Sequence, residues 1–206
     1  MTGATNDPKD GAVDSKADVL ADVCAELSMD EFDSARGILR SDYPFAAQTT
    51  TARRYTARES LWVFYRDGFI DRYFGTRLVN PGVLRALSVI FPADFPTHST
   101  AKMTETHSAH WELCPTIDHV IPMSRGGNDD DANQVTTSLL RGSAKAHWTL
   151  DDLGWSLVPP GDHREWDGLS EWFVEYVPMH PHLLTNNYVA RWYRATVEVR
   201  GEFGAE

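Results

Sequence analysis

Cysteine is scarce in this chain: Cys24 and Cys114 are its only two in 206 residues. Two lone thiols exclude a disulfide framework and set a reducing, cytoplasmic compartment as the expectation. Long apolar runs are missing as well. No stretch approaches the ~20 residues of a membrane helix, and the acidic, polar start has no apolar signal segment. No membrane partner is expected. Internal repeats are absent, and positive charge is in deficit, with a formal net charge of −11. That balance argues against nonspecific coating of nucleic acid.

Apolar residues are plentiful: 42% of the chain is hydrophobic, with seven Trp, seven Tyr and nine Phe, enough for a sizeable core. The aromatics of 148–193 are read as core rather than as a base-stacking platform. Charge is unevenly spread. Residues 1–34 carry a net −7, residues 35–91 a net +5, and seven arginines fall between Arg53 and Arg85. A local basic surface of that kind is what phosphate contact requires.

Residues 1–13 are polar, broken by Gly and Pro, and expected to be disordered. Leu20, Val23, Cys24 and Leu27 mark one helical face. Ser28 to Glu31 has a capping-box pattern, and Phe32, Ala35, Ile38 and Leu39 form a second face. A helical hairpin and linker over 14–54 follows. Thr56 and Glu59 make another capping box before Leu61, Val63, Phe64 and Tyr65. Asn80-Pro81 predicts an N-cap with Pro at the first helical position. Thr149 to Asp152 starts a short helix stopped by Gly154, and Trp155, Leu157 and Val158 suggest a strand. Trp172, Phe173 and Tyr176 suggest a helix, and a last helix or strand holds Leu183 to Tyr193.

The chemistry-bearing stretch runs from Pro115 to Trp148. Thr116 to Ile121 reads as a strand carrying Asp118 and His119 side by side. Pro122 and Arg125-Gly126-Gly127 stop it. Polar Asn128 to Asp131 suits a loop, and Ala132 to Ala146, with Val135, Leu139 and Leu140, reads as a helix with Asn133 near its start. An imidazole changes protonation near neutral pH and suits a general base. A neighbouring carboxylate can hold a cation against phosphoryl oxygens. His98, His107, His110 and Cys114 could be drawn as a zinc cluster, but their spacing matches no strong template.

Asp118-His119, Pro122, Gly126-Gly127, Asn133 and Lys145 together resemble the ββα-metal core of HNH endonucleases. The resemblance covers residues 66–148 and implies a mixed α+β, mostly helical chain, with a nuclease core over 55–160 and an extension over 161–206 packed on it. It implies a DNA endonuclease leaving 5′-phosphate and 3′-hydroxyl ends. His119 is then the general base, Asp118 the ligand of Mg²⁺ or Mn²⁺, and Asn133 the brace of the loop. Arg66 to Gly75 is similar to the knuckle that many such proteins place before the catalytic strand. Asp71, Phe74, Ser138 and Arg141 stand where its four zinc-binding cysteines would be. No structural zinc is expected, and apolar packing around Phe74 is expected in its place.

The sharpest departure is Gly142, which stands at the last metal-ligand position and offers no side chain. His147 could replace it only with a helix distortion, one of Asn128 to Asp131 could reach in from the loop, or the site is disabled. Arg125, Arg141, Lys145 and Lys102 are the candidate DNA contacts. The alternative function is a catalytically inactive, nuclease-derived DNA-binding protein. A third is a protein-interaction module, its contact surface the acidic N-terminal helices, which a partner or a second copy could engage.

Overall fold

The structure is a computed structural model that describes residues 16–45, 54–100 and 102–204, in two compact units dividing near residue 49. The tail 1–13 and the linker residues 46–53 lie outside the described residues. In the first unit, α1 (Lys16–Ser28) and α2 (Phe32–Asp42) pack as the expected hairpin, with Val23 and Ala35 buried. The expected capping box at 28–31 does not form. Ser28 closes α1 instead, its hydroxyl donating to the Cys24 carbonyl at 2.8 Å, while Glu31 caps α2 without a side-chain bond.

The second unit is α+β and mostly helical, as the sequence implies. Helix α3 (Ala57–Arg66) starts at a closed capping box: Glu59 N–H donates to Thr56 Oγ1 at 3.2 Å, and Thr56 N–H to Glu59 Oε2 at 2.7 Å. Helix α4 (Pro81–Ile90) starts at Asn80, whose Oδ1 accepts from Gly82 N–H at 2.8 Å. A short α5 (Ala109–Glu112) leads into β1 (Pro115–His119), which pairs antiparallel with β2 (Gln134–Ser138); α6 (Leu139–Lys145) follows directly. Then come α7 (Leu150–Leu153), capped by Thr149 and stopped at left-handed Gly154, α8 (Ser170–Met179) and α9 (Asn187–Phe203). Helices α3, α4, α8 and α9 enclose one core, with Leu61, Phe64, Phe173, Val189 and Trp192 among its residues. The C-terminal aromatics are therefore largely core, as expected.

Further sequence expectations need correction. Residues 132–146 do not form one helix: 134–138 is a strand, and the helix covers 139–145 alone. Val135, Thr136 and Thr137 are β-branched and buried, which favours a pleated, packed strand over a helix turn. Ser138 is the N-cap of that helix, accepting from Arg141 N–H at 3.2 Å. The segment 155–158 is not a strand. Arg72 holds it, giving Nε–H to the Val158 carbonyl at 2.7 Å and accepting Val158 N–H at 2.8 Å.

The outer edge of β2 is closed by side chains rather than by a third strand. Thr136 N–H donates to Asp67 Oδ2 at 2.7 Å and Ser138 N–H to Asp71 Oδ2 at 2.9 Å. Both carboxylates are almost fully buried, Asp67 beside Arg66 and Arg72, and Asp71 beside Arg141. Positions 71, 74, 138 and 141 do come together. Asp71 pairs with Arg141 at 3.3 Å, and the Arg141 guanidinium lies 4.5 Å from the Phe74 ring centroid. Phe74 also packs edge-on against Trp155, yet it remains half exposed. The apolar packing expected around Phe74 is thus only part of this cluster; its centre is ionic.

Most of the arginines between 53 and 85 are used inside the fold. Arg58 pairs with Glu198 and Glu202, Arg66 and Arg72 with Asp67, and Arg77 and Arg85 lie over Trp166 and Tyr188. Among the described residues, the run does not make the open basic surface that its charge suggested. His98, His107, His110 and Cys114 do not converge either. His107 stacks on Phe95, and His110 bonds Ser88.

Removing the Asp71 carboxylate leaves a guanidinium, the Thr137 hydroxyl and three backbone N–H groups without their acceptor. Asp71→Ala is expected to lower stability by roughly 3–5 kcal/mol in urea unfolding. Burial, then Arg85 and His107, push His110 down to about 4. Its folded-state value lies below that of the unfolded chain, so its contribution is complete above about pH 6.5 and lost as pH falls through about 4. Unfolding measured between pH 7 and 4.5 should show that loss, and His110→Gln should flatten it.

Candidate functional site

Side chains alternate along a strand, so Asp118 and His119 leave β1 on opposite faces. Asp118 turns toward α6. Its Oδ2 lies 2.9 Å from Lys145 Nζ and accepts a hydrogen bond from the Tyr73 hydroxyl. Burial first, then the Asp118 charge, push Tyr73 far above the usual phenol range, so its hydroxyl stays a donor. Lys145 also donates to the His119 carbonyl at 2.7 Å.

His119 turns the other way, with Nε2 3.1 Å from Asp129 Oδ1 and 3.4 Å from the Tyr55 hydroxyl. Asp129 Oδ1 also accepts from Tyr55 at 3.0 Å and from Gln134 Nε2 at 2.9 Å. An ionised carboxylate only accepts, so the imidazole proton belongs on Nε2 and the lone pair on Nδ1. The Asp118 and His119 side chains remain 17% and 19% exposed, so solvent reaches both. Beside Asp129 lies a cleft of about 330 Å³, whose walls include Glu59, Asp131 and Glu202. Those acids make it a poor receptor for phosphate.

Asn133 braces the loop, as expected, though outside any helix. Its Oδ1 accepts from Ile121 N–H at 2.8 Å; its Nδ2 donates to the Ile121 carbonyl at 2.9 Å and the Asn128 carbonyl at 2.7 Å. Gly127 makes this clasp possible. A Cβ there would stand 1.9 Å from the Ile121 oxygen and 2.8 Å from Asn133 Nδ2. Strand end, turn and loop are thereby locked around the 118–119 pair.

Several candidate residues are placed elsewhere or otherwise engaged. Lys145 is fully buried on Asp118 and cannot face a DNA phosphate. Arg141 is committed to Asp71 and Thr76. Lys102 bonds Glu105 within its own turn. Arg125 is exposed, with Asp152 3.8 Å away, and is the most loosely paired of the four candidates. His147 follows the end of α6, beyond Ala146 at φ 47°, and its ring stacks on Trp148. A Cβ at Gly142 would meet the Thr116 and Thr137 methyls at 3.2 Å, so this glycine allows α6 to approach the sheet closely. That is the packing reason for glycine in a helix interior, where propensity alone disfavours it.

The donor set at Asp118 does not fit a divalent cation. The carboxylate is engaged by an ammonium and a phenol, position 142 supplies no donor, and no three His, Cys, Asp or Glu side chains converge among the described residues. Asp129 attends the imidazole instead of offering itself as a loop ligand. Tyr55, Tyr73 and the positioning role of Asp129 were not legible in the sequence. Each lies far along the chain from its partner or inside a featureless polar run, and no spacing rule marks such pairs.

Compared with known proteins, the chain matches no family model, no curated protein and no solved structure.

Asn133→Ala should free the loop from the strand end. Expected are a stability loss of roughly 1–3 kcal/mol and faster hydrogen exchange at Ile121, read by NMR.

Proposed function

We propose that this chain is an HNH-type nuclease unit acting on DNA phosphodiesters, with His119 as general base. The observation that carries the reading is the Asn133 clasp, which joins the end of β1 to the following loop beside a solvent-accessible His119 whose tautomer Asp129 sets. The order strand, turn, strand, helix supports it. In this reading His119 Nδ1 accepts a proton from water, and Asp129 steadies the imidazolium that forms. Arg125, exposed and only loosely paired, is the side chain this reading offers to a phosphate.

A second reading, DNA binding without turnover, is favoured by the ion pair between Lys145 and Asp118, because charge developing on the phosphoryl oxygens then meets no divalent cation held at that carboxylate. A plasmid-nicking assay separates the two. Under the first reading the wild-type chain nicks slowly, and His119→Ala lowers the rate by roughly 10²–10⁴-fold. Asp129→Asn keeps DNA retention but shifts the pH profile of nicking. Retention at low salt with nicking no faster than His119→Ala selects the second reading. Absence of both nicking and retention overturns each.

A further inference from the structure

The Lys145 ammonium sits between two oxygens, Asp118 Oδ2 at 2.9 Å and the His119 carbonyl at 2.7 Å, with its side chain fully buried. An ammonium gives up much solvation on burial and remains charged only where strong acceptors replace water. A carboxylate and a backbone carbonyl facing one point are also the hard oxygen donors that Mg²⁺ or Mn²⁺ prefers. One helical turn earlier, Gly142 offers no ligand and rests against Thr116 and Thr137. The Tyr73 hydroxyl caps the oxygen that Lys145 approaches. Asp118 therefore already has a cation, supplied by the chain.

We infer that the Lys145 ammonium takes the place of a divalent cation at Asp118, so that the site does not load Mg²⁺ or Mn²⁺. Any phosphodiester chemistry on the His119 face then proceeds without divalent metal. The identity of the displaced ion rests on the HNH-type reading; the occupancy of Asp118 by Lys145 does not. A binding measurement without DNA therefore keeps the two separable. Loss of nicking in every condition would sink the nuclease reading and leave this one standing.

The test is Mn²⁺ binding followed by electron paramagnetic resonance on the wild-type chain, Lys145→Met, Asp118→Asn and the Lys145→Met/Asp118→Asn pair. Methionine keeps the length of the stem and removes the charge. Expected is no Asp118-dependent Mn²⁺ binding in the wild type, and at least tenfold tighter binding in Lys145→Met that the second substitution abolishes. Asp118-dependent binding by the wild-type chain would overturn the inference. So would a folded Lys145→Met, judged by circular dichroism, that gains nothing. Should Lys145→Met fail to fold, ¹⁵N spectra of the wild-type lysine ammonium decide the matter. A Lys145 signal untouched by Mn²⁺ upholds the inference, and broadening that is absent in Asp118→Asn overturns it.

Discussion

Two buried carboxylates hold the second strand in place, and the geometry of the site depends on them. A two-stranded ribbon is at best marginally stable alone, because one edge of each strand lacks partners. Here Asp67 and Asp71 accept the outward N–H groups of Thr136 and Ser138, and Arg66 donates to the Gln134 carbonyl at 2.6 Å. Arg72 N–H adds a bond to the Thr136 carbonyl at 2.9 Å. A short stretch before α4 thus serves as a third strand made largely of side chains. With β2 fixed, its pairing partner β1 is fixed too, and Asp118 and His119 follow.

Asp71 shows why this arrangement specifies more than it stabilises. A buried ion pair gains little net free energy over apolar packing, but removing one partner is costly. Asp71 meets Arg141 and Thr137 through their side chains and Tyr73, Phe74 and Ser138 through backbone N–H groups. Those bonds set the register between the 71–74 turn, the end of β2 and the start of α6. A structural zinc ion would contribute far more folding free energy at such a crossing. The helices around the sheet take over that role: α3, α4, α8 and α9 bury a continuous aromatic-rich core to which the 66–79 segment contributes Phe69 and Val79.

What the sequence revealed and what it concealed divide along a physical line. Local chemistry was legible: the Thr56 capping box, the helix start at Thr149, the Asn80-Pro81 helix start and the Gly126-Gly127 turn each depend on neighbours a few residues away. The second strand was not. In Gln134 to Ser138 the spacing of Val135 and Leu139 mimics a helical face, and only tertiary burial of every residue in the run settles it as a strand. Long-range polar partners were hidden for a related reason. Tyr73 and Asp118 are 45 positions apart, and Asp67 and Thr136 are 69. Charge counts misled as well, because an arginine reads alike in sequence whether it faces solvent or, like Arg66 and Arg72, neutralises a buried acid.

Gly142 and Lys145 act as one physical unit rather than as two separate features. Residues three apart share a helix face, so both point from α6 toward the sheet. With no side chain at 142, the helix rests directly on Thr116 and Thr137, which are paired across the two strands. That close approach carries the next turn down to β1, where the Lys145 stem spans the remaining distance to Asp118. A bulkier residue at 142 would push the methyls or the helix aside and weaken this reach. The lysine in turn makes the glycine tolerable, because the helix end is anchored by an ion pair and a bond to the His119 carbonyl. An asparagine at 142 with Lys145 unchanged would therefore confront an occupied carboxylate, and a ligand added there would not by itself create a cation site.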